Sequence, residues 1–170
     1  MTEAQRLAKT MTAESNRDSE FDVFYRQHFT MSVTLAHALA GGRAAEEIAQ
    51  EALLATYRKW DELESPERWL WRVISNRSRS VLRRSYAEAR AVSRLVAGSV
   101  WEVELAAPVE EFWAAVRALP RRQAQVVALR SVEELSVSEI AEVLSCSAAT
   151  VRVHLHRARQ RLAEEFGAEV

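Results

Sequence analysis

The chain has 170 residues, of which 23 are basic, 24 acidic and 4 histidine, for a formal net charge of -1, and 48% are apolar. That is the profile of a folded globular chain, one ordinary domain or two small ones, rather than of a disordered polymer. The single Cys146 excludes an intrachain disulfide framework and a cysteine zinc site, and no apolar run reaches the roughly 18 residues of a membrane span or forms a secretory core at the N-terminus.

Only four Gly and three Pro imply long helices and few tight turns, so the expected class is all-α. Residues 1–18 are polar without a sustained apolar period and are expected to form a flexible tail, in which Met11 offers an alternative start. From Phe21 to about Leu39 the apolar residues fall at three- and four-residue spacing, a helix that Gly41-Gly42 closes. A second helix is expected from about Ala44 to Trp60, with Ile48, Ala49, Ala52, Leu53 and Trp60 on one side. Ser65-Pro66 reads as an N-cap with Pro at the first helical position, opening "PERWLWRVISNRSRSVLRR" to about Arg84. Residues 85–108 mix a helix-like "SYAEARAVSRL" with the alternating "VWEVEL"; a lone strand is not stable, so this segment reads as a linker. Helices resume at about Val109 and again after Leu119-Pro120.

Charge is unevenly placed. Residues 66–94 carry 8 basic and 2 acidic side chains and residues 149–161 carry 4 and none, whereas residues 1–65 carry 7 and 11. Two basic islands in an otherwise acidic chain suggest two local contacts with a polyanion. The second island lies in "EIAEVLSCSAATVRVHLHRAR". Ser136-Val137-Ser138-Glu139 fits a capping box for a short helix ending near Leu144. Ser145-Cys146-Ser147 makes a turn, and Ser147 caps the next helix. On a wheel Val151, Leu155, Ala158 and Leu162 fall within about 60° of one another as a buried stripe. Ala149, Val153, His156 and Arg157 lie opposite, flanked by Arg152, Arg159, His154 and Arg161. A short helix, a tight turn and a longer helix with small and then basic residues is the helix-turn-helix plan, which a major groove about 12 Å wide admits. The bland alternative, a solvated basic face, does not account for the capped helix before it. In the first island Leu70, Val73, Ile74 and Val81 form a core stripe. Arg72, Asn76, Arg79 and Arg83 line up on the far side, suited to tracking a phosphate backbone with one amide able to read a base edge. Trp69 and Trp71 flank the core stripe, where a tryptophan either packs or stacks on an unpaired base.

The order of these pieces resembles the extracytoplasmic-function (ECF) group of bacterial RNA polymerase sigma factors, of the sigma-70 class. The matching stretches are "AAEEIAQEALLATYRKW", "ERWLWRVISNRSRSVLRR" and "LPRRQAQVVALRSVEELSVSEIAEVLSCSAATVRVHLHRAR". The resemblance implies two small helical domains joined by a linker: after the tail 1–18, a region 2 domain over 19–86, a linker over 87–108, and a helix-turn-helix region 4 domain over 109–170. It implies core RNA polymerase, through its clamp and flap regions, and promoter DNA as partners, with an anti-sigma factor as a candidate third. Glu46, Glu47, Gln50 and Glu51 would dock on the polymerase clamp. Arg72, Asn76, Arg79 and Arg83, with the loop Asp61 to Ser65, would read and open the -10 element. Arg152, Val153, His156, Arg157 and Arg159 would read the -35 element. Ser145, Ala149 and Val153-His154 depart from the commoner family residues, and a positive φ at Ser145 would cost roughly 1 kcal/mol.

The sequence fits two other classes poorly. An enzyme would need a nucleophile elbow, a glycine-rich phosphate loop or metal-ligand spacing. None appears, His154 and His156 project to separated sides of their helix, and no cofactor, metal or catalytic residue is expected. A stand-alone helix-turn-helix regulator would need an upstream ligand-binding or receiver domain, and residues 21–84 carry no repeated apolar strand. The expected location is the cytoplasm, without membrane insertion.

Overall fold

The structure is a computed structural model that describes the backbone of residues 3–91 and 106–167, with side chains for 15–81 and 106–167. Seven α-helices and no strand occur among the described residues. They are α1 (Glu3–Ala40), α2 (Gly42–Arg58), α3 (Pro66–Ala91), α4 (Ala107–Ala118), α5 (Arg121–Ser131), α6 (Val137–Leu144) and α7 (Ala148–Phe166), with a 3-10 turn at Trp60–Glu62. None of the described helices is long and apolar enough to cross a membrane.

The first three helices pack on one another through the stripes read from the sequence. Ile48, Ala49, Ala52 and Leu53 of α2 and Leu70 and Ile74 of α3 are fully buried, and Val73 and Val81 pack against them. Trp60 lies beyond the end of α2, in the 3-10 turn, edge-on to Phe21 at 5.2 Å and to Phe24 at 5.0 Å. That aromatic cluster anchors the near end of the 61–65 loop to α1. Gly41 joins α1 to α2 at φ 83 and ψ 164, a conformation essentially restricted to glycine.

Two expectations are corrected. Within the expected tail 1–18, residues 3–18 belong to α1 instead of forming a loose segment. Residues 3–14 contain strong helix formers, and extending an existing helix avoids the cost of nucleating one. Its inner end is tied down by Arg17, which donates to the Tyr57 carbonyl at 2.8 Å and pairs with Asp61 at 3.3 Å, and by Asp18, which accepts from the Tyr57 hydroxyl. At the other boundary α3 runs to Ala91 and α4 begins at Ala107, so both helices enter the expected 87–108 linker. Residues 92–105, including "VWEVEL", lie outside the described residues.

In the C-terminal half, α6 starts with the capping box: the Glu139 amide donates to Ser136 Oγ at 3.3 Å, and the Ser136 amide to Glu139 Oε2 at 2.8 Å. Ser147 caps α7 by accepting from the Thr150 amide at 3.1 Å. Val151, Ala158 and Leu162 are buried, and Leu155 packs against them. Between the two helices Ser145 adopts φ 52 and ψ 53, the left-handed conformation in which a Cβ is strained. Ser145→Gly is therefore expected to raise stability by up to about 1 kcal/mol, part of the relief being offset by the freer unfolded chain. A urea titration of the two proteins measures it, and a lower midpoint for the glycine variant would contradict the strain.

The two halves also pack on each other. α1 meets α4 and α5, and α3 meets α5 and α6, so the buried apolar residues form one continuous cluster.

Candidate nucleic-acid interface

The helix α7 presents its candidates as the wheel requires. Arg152, Val153, His156, Arg157 and Arg159 are all exposed, while the opposite stripe is buried. Val153 is 46% exposed, an uncovered apolar group in the leading turns of the helix. The first turn carries no acidic residue. Small or apolar contacts at the N-terminal end and guanidiniums farther along suit a major groove, where thymine methyls and guanine edges are both available.

The stripe on α3 is differently situated. Arg72 is half-buried, and its Nε donates to the Val143 carbonyl at 3.0 Å while Nη2 donates to the Glu142 carbonyl at 2.8 Å. Those carbonyls belong to the last turn of α6, the negative end of its dipole, so a cation there is well placed. Asn76 Oδ1 accepts from Arg121 at 2.9 Å, and Gln125 Nε2 reaches across to the Ser75 carbonyl at 2.9 Å. Arg79 is exposed at the rim of the same seam. Arg83 lies on the helix, but its side chain falls outside the described residues. Three members of the stripe thus share one face, and in this arrangement the helix-turn-helix half hydrogen-bonds two of them, half-buried Arg72 and exposed Asn76.

Both tryptophans of α3 are half-buried. Trp69 sits under the Lys59 ammonium, 4.9 Å from its ring centre. Trp71 packs against the core and donates its indole N–H to Glu133, in the connection between α5 and α6. Burial pushes the Glu133 carboxyl up to about 7, against the pull of that hydrogen bond. A carboxyl whose folded-state pKa is raised is uncostly while protonated, and its contribution is lost as pH rises through the folded value. Glu110 behaves oppositely. Burial alone would raise it, but hydrogen bonds from His37 (2.6 Å) and Arg117 hold it below the ordinary carboxylate range, so its pairing is lost only in acid. The seam is therefore expected to be firmest between these limits. Unfolding in urea should show stability falling by about 1–2 kcal/mol from pH 5.5 to 8.5, after discounting for solvent screening, and Glu133→Gln should flatten that slope. An unchanged slope in the variant would assign it to another group.

On α2, Glu47, Gln50 and Glu51 are exposed and Glu46 half-buried. Glu46 accepts from Gln50 at 2.9 Å, and Glu51 pairs with Arg77. The sequence reading missed their neighbour Leu54, 48% exposed, which stands with Gln50 on a groove of about 470 Å³ between α1 and α2. Its signal was available: Leu54 falls off the buried stripe that Leu53 completes. Among the described residues no group of three or more His, Cys, Asp or Glu could hold a metal ion.

The chain matches two family models, sigma-70 region 2 over residues 24–87 and sigma-70 region 4 over residues 109–162. It is 34% identical to an RNA polymerase sigma-E factor of Streptomyces avermitilis, across 72% of this chain and 70% of that one. The chain belongs to the ECF group of RNA polymerase sigma factors. The ECF RNA polymerase sigma factor SigW of Bacillus subtilis is 27% identical, across 72% of this chain and 75% of its own. Two solved structures share the fold. The sigma factor RpoE of Bartonella quintana, in complex with the anti-sigma factor NepR, has a TM-score of 0.71 at 21% identity, covering 89% of this chain and 99% of that one. CnrH, in complex with the cytosolic domain of CnrY, has a TM-score of 0.67 at 20% identity, covering 94% and 96%. As an alternative sigma factor, the protein works with core RNA polymerase to direct promoter recognition and transcription initiation.

A sigma factor carried by polymerase needs only local basic islands. Its near-zero net charge spares it the salt-dependent wandering of a protein held to DNA by surplus charge.

Proposed function

We propose that the work is divided along the chain. Residues 19–86 dock on the polymerase clamp and open the -10 element, residues 87–108 join the halves, and residues 109–170 read the -35 element and meet the flap. Arg152, Val153, His156, Arg157 and Arg159 enter the -35 major groove. Arg72, Asn76, Arg79 and Arg83 follow a strand leaving the duplex at -10. Glu46, Glu47, Gln50 and Glu51 face polymerase. The observation that carries the reading is the two-faced α7, with all five candidates exposed outside a buried apolar stripe. Run-off transcription with core polymerase tests it, alongside a polymerase-free electrophoretic shift. A stand-alone regulator would shift promoter DNA by itself, whereas a sigma factor of this kind gives transcripts and hardly any shift.

The seam adds a requirement. With Arg72 and Asn76 bonded to the C-terminal half, these two members of the -10 stripe are released for DNA only once the halves separate. Polymerase docking is the event we assign to that separation. We also infer an anti-sigma factor as a partner, on the support of a structural relative captured with one. The protein has no catalytic role of its own in this reading, since RNA synthesis belongs to the polymerase, and it acts in the cytoplasm.

Charge reversal on α2 tests the docking surface. Glu47→Lys should weaken core binding by roughly tenfold or more without changing helicity, because Glu47 is exposed. Glu51→Lys should do the same but also expel Arg77, which makes Glu47 the cleaner probe. Unaltered affinity of both variants in a pull-down would remove α2 from the interface.

A further inference from the structure

The seam between the halves holds a pocket of about 170 Å³ that the promoter reading does not use. Ser75, Ser78 and Arg79 of α3 line it from one side, and Arg117 of α4 with Arg121 and Gln125 of α5 from the other. No carboxylate lines it.

Its polar groups are left incomplete. Ser75 and Ser78 are each only 2% exposed, yet neither hydroxyl has a hydrogen-bond partner. The Arg121 Nε is likewise buried and unpartnered. Arg117 is neutralised by Glu110, but Arg121 has Asn76, a neutral amide, as its acceptor. Burial, and then the charges of Arg79 and Arg122, hold Arg121 below its ordinary pKa, so like charges converge here. The helix α5 begins at Arg121 with no side-chain cap and no acidic residue in its first turn, which leaves the positive end of its dipole facing the same cluster. Ordered water would satisfy the two hydroxyls. It would not offset the guanidinium charges, and an anion does both.

We propose that this pocket is an oxyanion site, built by both halves of the chain, that takes the phosphoryl group of a small phosphorylated ligand. At about 30 Å³ per water the space corresponds to roughly six waters, enough for one tetrahedral oxyanion with a small substituent. A DNA strand carries the same chemistry but not the same fit. Ser75, Ser78 and Arg121 converge only while the C-terminal half covers α3, and a strand lying along α3 requires that half to leave. Because both halves supply ligands, occupancy stabilises the closed arrangement by mass action. The consequence for transcription, a slower release of the -10 stripe, rests on the promoter assignment above; the site itself does not.

The test uses the full chain and inorganic phosphate, titrated calorimetrically and by thermal unfolding at constant ionic strength against chloride. The wild type should bind phosphate saturably at one site and melt higher with it. Ser75→Ala/Ser78→Ala removes only unpartnered hydroxyls, so it should be as stable as the wild type in chloride and bind phosphate at least tenfold more weakly. Arg121→Gln should lose phosphate binding as well. No saturable binding overturns the proposal, as does equal binding by the serine variant, which would mark an adventitious ion only. If a single-stranded oligonucleotide binds through the two serines while free phosphate does not, the pocket belongs to the DNA backbone and the small-ligand site is overturned.

Discussion

Arg152→Ala and Arg157→Ala should each cost the holoenzyme about 1–3 kcal/mol of promoter affinity, with a factor of ten for every 1.4 kcal/mol. Both guanidiniums are exposed, Arg157 opposite the stripe of Val151, Ala158 and Leu162 and Arg152 on its flank, and truncating them leaves that buried stripe untouched. Folding is therefore expected to be unchanged, and the loss should appear only in DNA binding. The pattern across promoters separates two roles. An arginine bonded to a guanine edge discriminates, so its removal flattens the preference at one -35 position. An arginine on phosphate weakens all promoters alike and lowers the salt dependence. Val153 provides an internal comparison, since an apolar group in the groove favours a thymine methyl, and Val153→Ala should cost less than either arginine change. Measuring start-site selection by each variant across a set of -35 substitutions assigns the roles. If both arginine variants transcribe every promoter at the wild-type rate, α7 is not the reading helix.

The parts of this interface that were legible in the sequence are those set by local physics. The capping box at Ser136, the cap at Ser147, the αL strain at Ser145 and the two faces of α7 depend on residues within a few positions of one another, and all appear as expected. What was not legible depends on tertiary placement. Periodicity marks Arg72 as lying off the apolar face of α3, but not that its guanidinium reaches carbonyls 70 and 71 residues away. The same limit applies to Glu51, expected on the clamp-docking face and found paired with Arg77, and to Trp71, whose indole meets Glu133 in the other half. The N-terminal extension of α1 was missed for a different reason. A polar segment without an apolar stripe lacks a helix signal of its own and takes its structure from the helix it continues.

Arg72 joins that seam to the opening of DNA, and its removal should move two measurements in opposite directions. Its two charge-assisted bonds to the end of α6 are each worth about 1.5–3 kcal/mol where water is excluded, and less at this half-exposed position. Arg72→Ala should therefore loosen the seam, seen as a longer distance between fluorophores on α2 and α7, and should leave core binding at least as fast as in the wild type. The same change removes a cation from the strand-tracking stripe. Extruding a base costs a few kcal/mol of stacking and pairing, which the stripe must help to offset. Duplex promoters should then open poorly, with permanganate-reactive thymines at -10 reduced about tenfold or more, while a template with a pre-opened bubble recovers most of the activity. Asn76→Ala supplies the contrast. It removes one acceptor from the seam and a bidentate amide from the stripe, so it should lose base preference at -10 more than the ability to hold the strand. Arg72→Lys keeps the charge but not the two-pronged donor, so it should restore strand holding better than it restores the bonds to Glu142 and Val143. Wild-type opening of duplex promoters by Arg72→Ala, with unchanged base preference in Asn76→Ala, would remove α3 from the -10 interface and leave the stripe as a purely structural seam between the two halves.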